Sequence, residues 1–103
     1  MAFVKAASVS EVPPGKAKQV KVGGKTLAVF NVEGRFYAID DTCPHRGASL
    51  CEGELAGCEV VCPWHAATFD VTTGAHLSPP ARSDVASYNV QIVGADVQVD
   101  VPS

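Results

Sequence analysis

The chain has 103 residues, 47% of them hydrophobic and 18% charged, which suits one globular domain and leaves little room for a second. A net charge of −3 weighs against nucleic acid as a partner, and no apolar stretch approaches the length of a membrane span. Four cysteines in a chain expected to be cytoplasmic point to metal binding before a disulfide framework.

The first ten residues lack the apolar core and cleavage site of a signal peptide and read as a strand, Phe3–Val9. Further β-branched or aromatic runs follow at Lys18–Val22, Thr26–Val32, Arg35–Ile39, Glu59–Cys62, Ala67–Val71, Ser87–Val93 and Asp96–Val101. Turn chemistry separates them at Pro13-Pro14-Gly15, Gly23-Gly24, Glu33-Gly34, Thr73-Gly74 and Gly94. Gly23-Gly24 and Glu33-Gly34 have the composition of tight hairpin connections. No long window carries apolar residues at helical spacing, so an all-β fold of antiparallel sheets is predicted.

Charge is unevenly spread. Lys5, Lys16, Lys18, Lys21 and Lys25 crowd the first quarter against Glu11 alone. Between residues 40 and 59 the sign reverses, with Asp40, Asp41, Glu52, Glu54 and Glu59 facing Arg46. Such a segment either steers docking onto a basic partner or is a solvated surface.

The interval from about 40 to 80 differs from the rest. It holds all four cysteines, all three histidines and four of the seven prolines, which predicts a loop-rich subdomain inserted in a β base. Two elements carry chemistry there: Cys43-Pro44-His45-Arg46-Gly47 and Cys62-Pro63-Trp64-His65, with sixteen residues between His45 and Cys62. Each offers one thiolate and one imidazole on a tight turn, and its backbone N–H groups are available to an anionic centre. A tetrahedral Cys₂His₂ zinc site is the competing reading, but zinc fingers usually pair like ligands, Cys with Cys and His with His. Mixed pairs fit a two-iron centre in which one iron takes both thiolates and the other both imidazoles.

The stretch from Cys43 through Cys62 and His65 to Ser78-Pro79-Pro80 closely resembles the Rieske-type ferredoxins, especially those serving bacterial ring-hydroxylating dioxygenases. The flanking strands agree in length and placement over nearly the whole chain. The resemblance implies a Rieske fold and one [2Fe–2S] cluster per chain. Cys43 and Cys62 would bind the iron that stays ferric, and His45 and His65 the iron that changes oxidation state. Ser78-Pro79-Pro80 matches the proline-bearing loop that covers the cluster. It further implies a one-electron carrier, not an enzyme in itself. Its partners would be a flavin-dependent NAD(P)H ferredoxin reductase and a terminal oxygenase, with neither nucleic acid nor membrane. Two other readings stand beside it: a small subunit of an assimilatory nitrite reductase, and a structural or redox-sensing metal domain.

Departures from the respiratory members bear on potential. Trp64 and Ala48 stand where those proteins have a cysteine pair, so that disulfide cannot form. Ala67 and Phe69 stand where they have hydroxyls bonded to sulfur. Losing such bonds lowers the potential, toward about −150 mV rather than about +300 mV.

Other residues are given plainer readings. Cys51 and Cys58 are expected to be free, buried or partly buried thiols, with a disulfide as the alternative. His76 reads as a surface histidine. Trp64 is either a partner contact or a shield over the cluster, and Arg46 either a partner contact or the mate of Asp40, Asp41 or Glu52. Gly47, Gly53 and Gly74 are expected to use positive φ in turns.

Overall fold

The computed structural model describes residues 2–41, 49–61, 68–77 and 85–101. Their strands are β1 (Ala2–Ser8), β2 (Ala17–Val22), β3 (Lys25–Val32), β4 (Arg35–Asp40), β5 (Glu54–Ala56), β6 (Glu59–Val61), β7 (Thr68–Asp70), β8 (Ser87–Tyr88), β9 (Val90–Val93) and β10 (Asp96–Val101). They form three antiparallel sheets, ordered β1-β10-β9, β2-β3-β4-β8 and β5-β6-β7. Among the described residues the regular structure outside strands is two short 3₁₀ turns, Val9–Glu11 and Leu50–Glu52.

The two expected hairpins set the register of the largest sheet. Gly23 and Gly24 have φ of 57° and 77°, and Glu33 and Gly34 have 53° and 92°. Positive φ at both central residues defines the turn whose twist matches that of paired strands. Val22 therefore faces Lys25, and Val32 faces Arg35.

β3 explains how one sheet serves two cores. Its run Leu27-Ala28-Val29-Phe30 is fully buried, as a strand covered on both faces requires. Leu27 and Val29 pack with Ala7, Val12, Val20, Val97 and Val99, against the β1-β10-β9 sheet. Ala28 and Phe30 pack on the other side with Ile39, Leu50, Val60, Phe69 and Val71. The second core joins the base to the segment expected to carry the metal.

Three expectations are corrected. The run Ser87–Val93 is two strands: Ser87 and Tyr88 pair with Ile39 and Ala38, while Val90–Val93 pair with β10. The break falls at Asn89, whose carbonyl accepts from the Asp100 amide at 2.9 Å. Hydrophobic pattern does not reveal a change of sheet. β5 was not anticipated, because three residues ending at the Gly57 turn (φ 61°) carry too little pattern. Gly53 has φ −76°, so its role is not a left-handed turn. Gly74, at φ 80°, is as expected, and Gly47 lies outside the described residues.

Candidate functional site: a ring of loop stems

Six chain ends border the segments 42–48, 62–67 and 78–84, and contacts among the described residues join those ends in a closed circuit. The circuit starts at the end of β4. The Asp41 carbonyl accepts from the Leu50 amide at 2.6 Å, and Oδ1 of Asp41 accepts from the Cys51 amide at 2.9 Å. Both bonds close the first segment. Two residues later Gly53 lies directly over the Val61 carbonyl, which a Cβ would meet at 2.1 Å. Val61 pairs with Thr68 and closes the second segment.

The Thr68 carbonyl then accepts from the Leu77 amide at 2.8 Å, which links the second segment to the entry of the third. The Val85 amide donates to the Gly74 carbonyl at 2.9 Å, and a Cβ on Gly74 would meet the Val85 carbonyl at 2.1 Å. The circuit returns at Asp40. Its amide donates to the Ala86 carbonyl at 2.9 Å, its Oδ2 accepts from the Ala86 amide at 3.3 Å, and its Oδ1 accepts from the Tyr88 hydroxyl at 2.7 Å. Successive strand residues face opposite ways. Asp40 thus holds the exit of the third segment, and Asp41 holds the exit of the first.

Asp41 is buried, with 1% of its surface exposed. Its Oδ2 also accepts from Gln19 Nε2 at 2.7 Å and Ser49 Oγ at 2.6 Å. The acidic docking surface expected over residues 40–59 is therefore smaller than its charge count. Asp41 faces inward and Asp40 is bonded to Tyr88, which leaves Glu52, Glu54 and Glu59 exposed.

The predicted ligands Cys43, His45, Cys62 and His65 lie outside the described residues, as do Arg46, Ala48, Trp64, Ala67 and Ser78-Pro79-Pro80. Their positions in sequence are informative all the same. Cys62 immediately follows the stem residue Val61, and Cys43 stands two residues after Asp41. Among the described residues no group of three or more His, Cys, Asp and Glu side chains stands ready to hold a metal ion.

Cys51 and Cys58 are free thiols as expected; Cys51 is half-buried, but Cys58, expected to be at least partly buried, is exposed. Burial pushes the Cys51 thiol up; its bond with Ser49 opposes this, and the nearby carboxylates of Asp41 and Glu52 reinforce it. Cys51 Sγ lies 3.1 Å from Ser49 Oγ. His76 is exposed and forms a bridge with Phe69, while Phe69 itself is fully buried.

The clasp made by Asp41 escaped the reading from sequence. Its partners come from β2 and from beyond the first segment, and only sheet register brings them together. Two adjacent carboxylates directly before a cysteine motif were the one available sign, and they were read as surface charge.

A β base whose six chain ends close into a ring is a scaffold for a cofactor held by the segments between them. The sequence profile of the Rieske [2Fe-2S] domain matches residues 2–89. The biphenyl dioxygenase ferredoxin subunit of Pseudomonas sp. (strain KKS102) is 46% identical over 101 residues, which cover 97% of this chain and 93% of that one. The ferredoxin of carbazole 1,9a-dioxygenase from Nocardioides aromaticivorans IC177 superposes with a TM-score of 0.91 at 31% identity, covering 96% and 97% of the two chains. The ferredoxin fold also matches a complex of reduced oxygenase and oxidized ferredoxin in carbazole 1,9a-dioxygenase, with a TM-score of 0.87 and 38% identity over 94% and 91%. A nitrite reductase small-subunit protein shares the fold at 20% identity.

The chain belongs to the Rieske [2Fe-2S] domain family. It is a ferredoxin-type electron carrier rather than a catalytic oxygenase, and its cofactor is a Rieske-type [2Fe–2S] cluster. The residues present suit that cofactor. Two thiols and two imidazoles fall in segments rooted on the ring, and the half-buried Cys51 is engaged with Ser49.

Proposed function

We propose that Cys43 and Cys62 bind one iron of the cluster and His45 and His65 the other. On this reading residues 1–103 are one domain, with a cluster-binding part over about 40–80 set into the β base. The protein carries single electrons, in the cytoplasm, from a flavin-dependent NAD(P)H ferredoxin reductase to the terminal oxygenase of a ring-hydroxylating system. The observation that carries this reading is the ring of stems, because the segments that hold all four ligands begin and end on it.

When bound, the cluster supplies a site that accepts and releases one electron. The chain's own contribution is to hold the ligand segments at fixed stems, so that little rearranges when charge changes. The partner assignment is supported by ferredoxin components of dioxygenase systems that this chain resembles at 39% and 46% identity. Glu52, Glu54 and Glu59 offer an exposed negative edge to a basic partner surface. Without hydroxyls at Ala67 and Phe69, the extra electron lacks sulfur-directed hydrogen bonds from those positions, which places the potential near the low end of the Rieske range.

The test is electron transfer itself. The protein is mixed with a ring-hydroxylating reductase and NADH, then with the matching oxygenase. Uptake of about one electron per chain, followed by reoxidation on adding oxygenase and its substrate, supports the carrier role. Stable copurification with a large sirohaem subunit, without exchange with any oxygenase, overturns it. A redox titration well above zero overturns the low potential.

A further inference from the structure

Asp41 is costly to bury, because a carboxylate removed from water must recover its solvation from hydrogen bonds. Three donors reach its two carboxylate oxygens. Oδ1 accepts from the Cys51 amide, Oδ2 accepts from Ser49 Oγ and Gln19 Nε2, and the backbone carbonyl accepts from the Leu50 amide. Its own amide donates to the Thr26 carbonyl at 3.1 Å, which anchors it to β3. Packing alone explains none of this, since the neighbouring core is filled by apolar residues such as Leu50 and Ile39.

The origin of the donors is the informative feature. Gln19 belongs to β2, while Ser49, Leu50 and Cys51 follow directly on the first ligand-bearing segment. One side chain therefore ties the β base to the far end of that segment while its own backbone forms the near end. The Ser49 hydroxyl has a single proton, and the carboxylate is its stronger acceptor. Ser49 Oγ also lies within hydrogen-bond reach of Cys51 Sγ, 3.1 Å away. The contact links Asp41, Ser49 and Cys51 in one polar chain that restricts the rotamers of Ser49 and Cys51.

We propose that Asp41 is a positioning residue for the cluster, clasping the two ends of segment 42–48 so that Cys43 and His45 are held in a single ligand geometry. This rests on the ligand assignment proposed above. Gln19 serves as the strut that seats the clasp on the base, and Ser49 is the arm on the segment side.

The test compares holoprotein carrying Asp41→Ala, Asp41→Asn, Ser49→Ala or Gln19→Ala with the unchanged holoprotein. Readouts are the electron paramagnetic resonance line shape of the reduced cluster, the rate of cluster loss to a chelator, and the unfolding midpoint. Asp41→Ala is expected to broaden or shift the signal and to speed cluster loss by about tenfold or more, a loss typical for groups that orient metal ligands. Asp41→Asn keeps an acceptor for the Cys51 amide, and Gln19 and Ser49 can reorient toward its amide, so it is expected to restore most of the line shape. Ser49→Ala should fall between them, and it decides the matter if Asp41→Ala fails to fold.

Gln19→Ala separates positioning from general stability, because it should lower the unfolding midpoint with a smaller effect on line shape. Unchanged line shape and loss rate in both Asp41→Ala and Ser49→Ala overturn the proposal, as do changes that merely track the unfolding midpoint across all four variants. If the unchanged protein itself gives no Rieske-type signal, the ligand assignment fails, and the proposal fails with it. That outcome is distinct from a normal signal that the variants leave untouched.

Discussion

The Tyr88 hydroxyl donates a 2.7 Å hydrogen bond to Oδ1 of Asp40, and this side-chain pair joins the chain just after segment 78–84 to the end of β4. Burial, then the bond to Asp40, then its charge push the Tyr88 phenol up to about 12 from 10.0. The folded protein therefore holds this proton more tightly than the unfolded chain does. The stabilisation is fully present below about pH 10 and is lost as pH rises through about 12. Stability measured by urea unfolding should fall over that window, and Tyr88→Phe should remove this part of the fall. At neutral pH Tyr88→Phe should cost about 1 kcal/mol or less, because the pair is partly open to solvent. Identical alkaline profiles for the two proteins would contradict the bond.

Glycine at positions 53 and 74 answers a close approach rather than a turn requirement alone. A Cβ at either would meet a backbone carbonyl at 2.1 Å. Gly53→Ala should destabilise by roughly 1–3 kcal/mol through forced backbone displacement. Gly74→Ala should cost more, because φ of 80° adds strain of about 1 kcal/mol or above. Gly24→Ala is the control, since it has φ of 77° and open space around its Cβ. It should show the strain without the clash, so the urea midpoint should drop least for Gly24→Ala, further for Gly53→Ala and furthest for Gly74→Ala.

Phe69 and Leu50 join the β5-β6-β7 sheet and the first segment's exit to the base, and both are fully buried. Phe69→Ala should cost roughly 3–5 kcal/mol, and Leu50→Ala roughly 2–5 kcal/mol. A loss below about 1 kcal/mol for either would mean that this core does not hold the two parts together.

The two free thiols should react at different rates. Cys58 is exposed, whereas Cys51 is half-buried, bonded to Ser49 and raised in pKa chiefly by burial. Because the thiolate is the nucleophile, iodoacetamide at neutral pH should modify Cys58 well before Cys51. Peptide mapping over time measures both, and Cys58→Ser should abolish the fast phase. Faster labelling of Cys51 would show that its bond to Ser49 does not persist in solution.

Much of the base was readable from residues alone, because its signals are local. Gly23-Gly24 and Glu33-Gly34 announce their turns, and the alternation of Val97, Val99 and Val101 with Asp96, Gln98 and Asp100 marks one buried face. What was not readable depends on register between distant segments. Ser87–Val93 gives no sign at Asn89 that its halves join different sheets. Asp41 looks like surface charge until Gln19, 22 residues earlier, is brought beside it. Gly53 resembles a turn residue until the pairing of β5 with β6 lays it over Val61. The ligand motif stands out by spacing and residue type, and its four residues lie outside the described structure.

The central claim is that the mixed pairs Cys43 with His45 and Cys62 with His65 hold a two-iron cluster. The most direct test is electron paramagnetic resonance of anaerobically purified, dithionite-reduced protein, with iron and zinc counted on the same sample. A rhombic signal of the Rieske type, about two irons per chain and no stoichiometric zinc is the predicted result. A colourless, folded protein that carries one zinc and gives no signal after iron–sulfur reconstitution would contradict it.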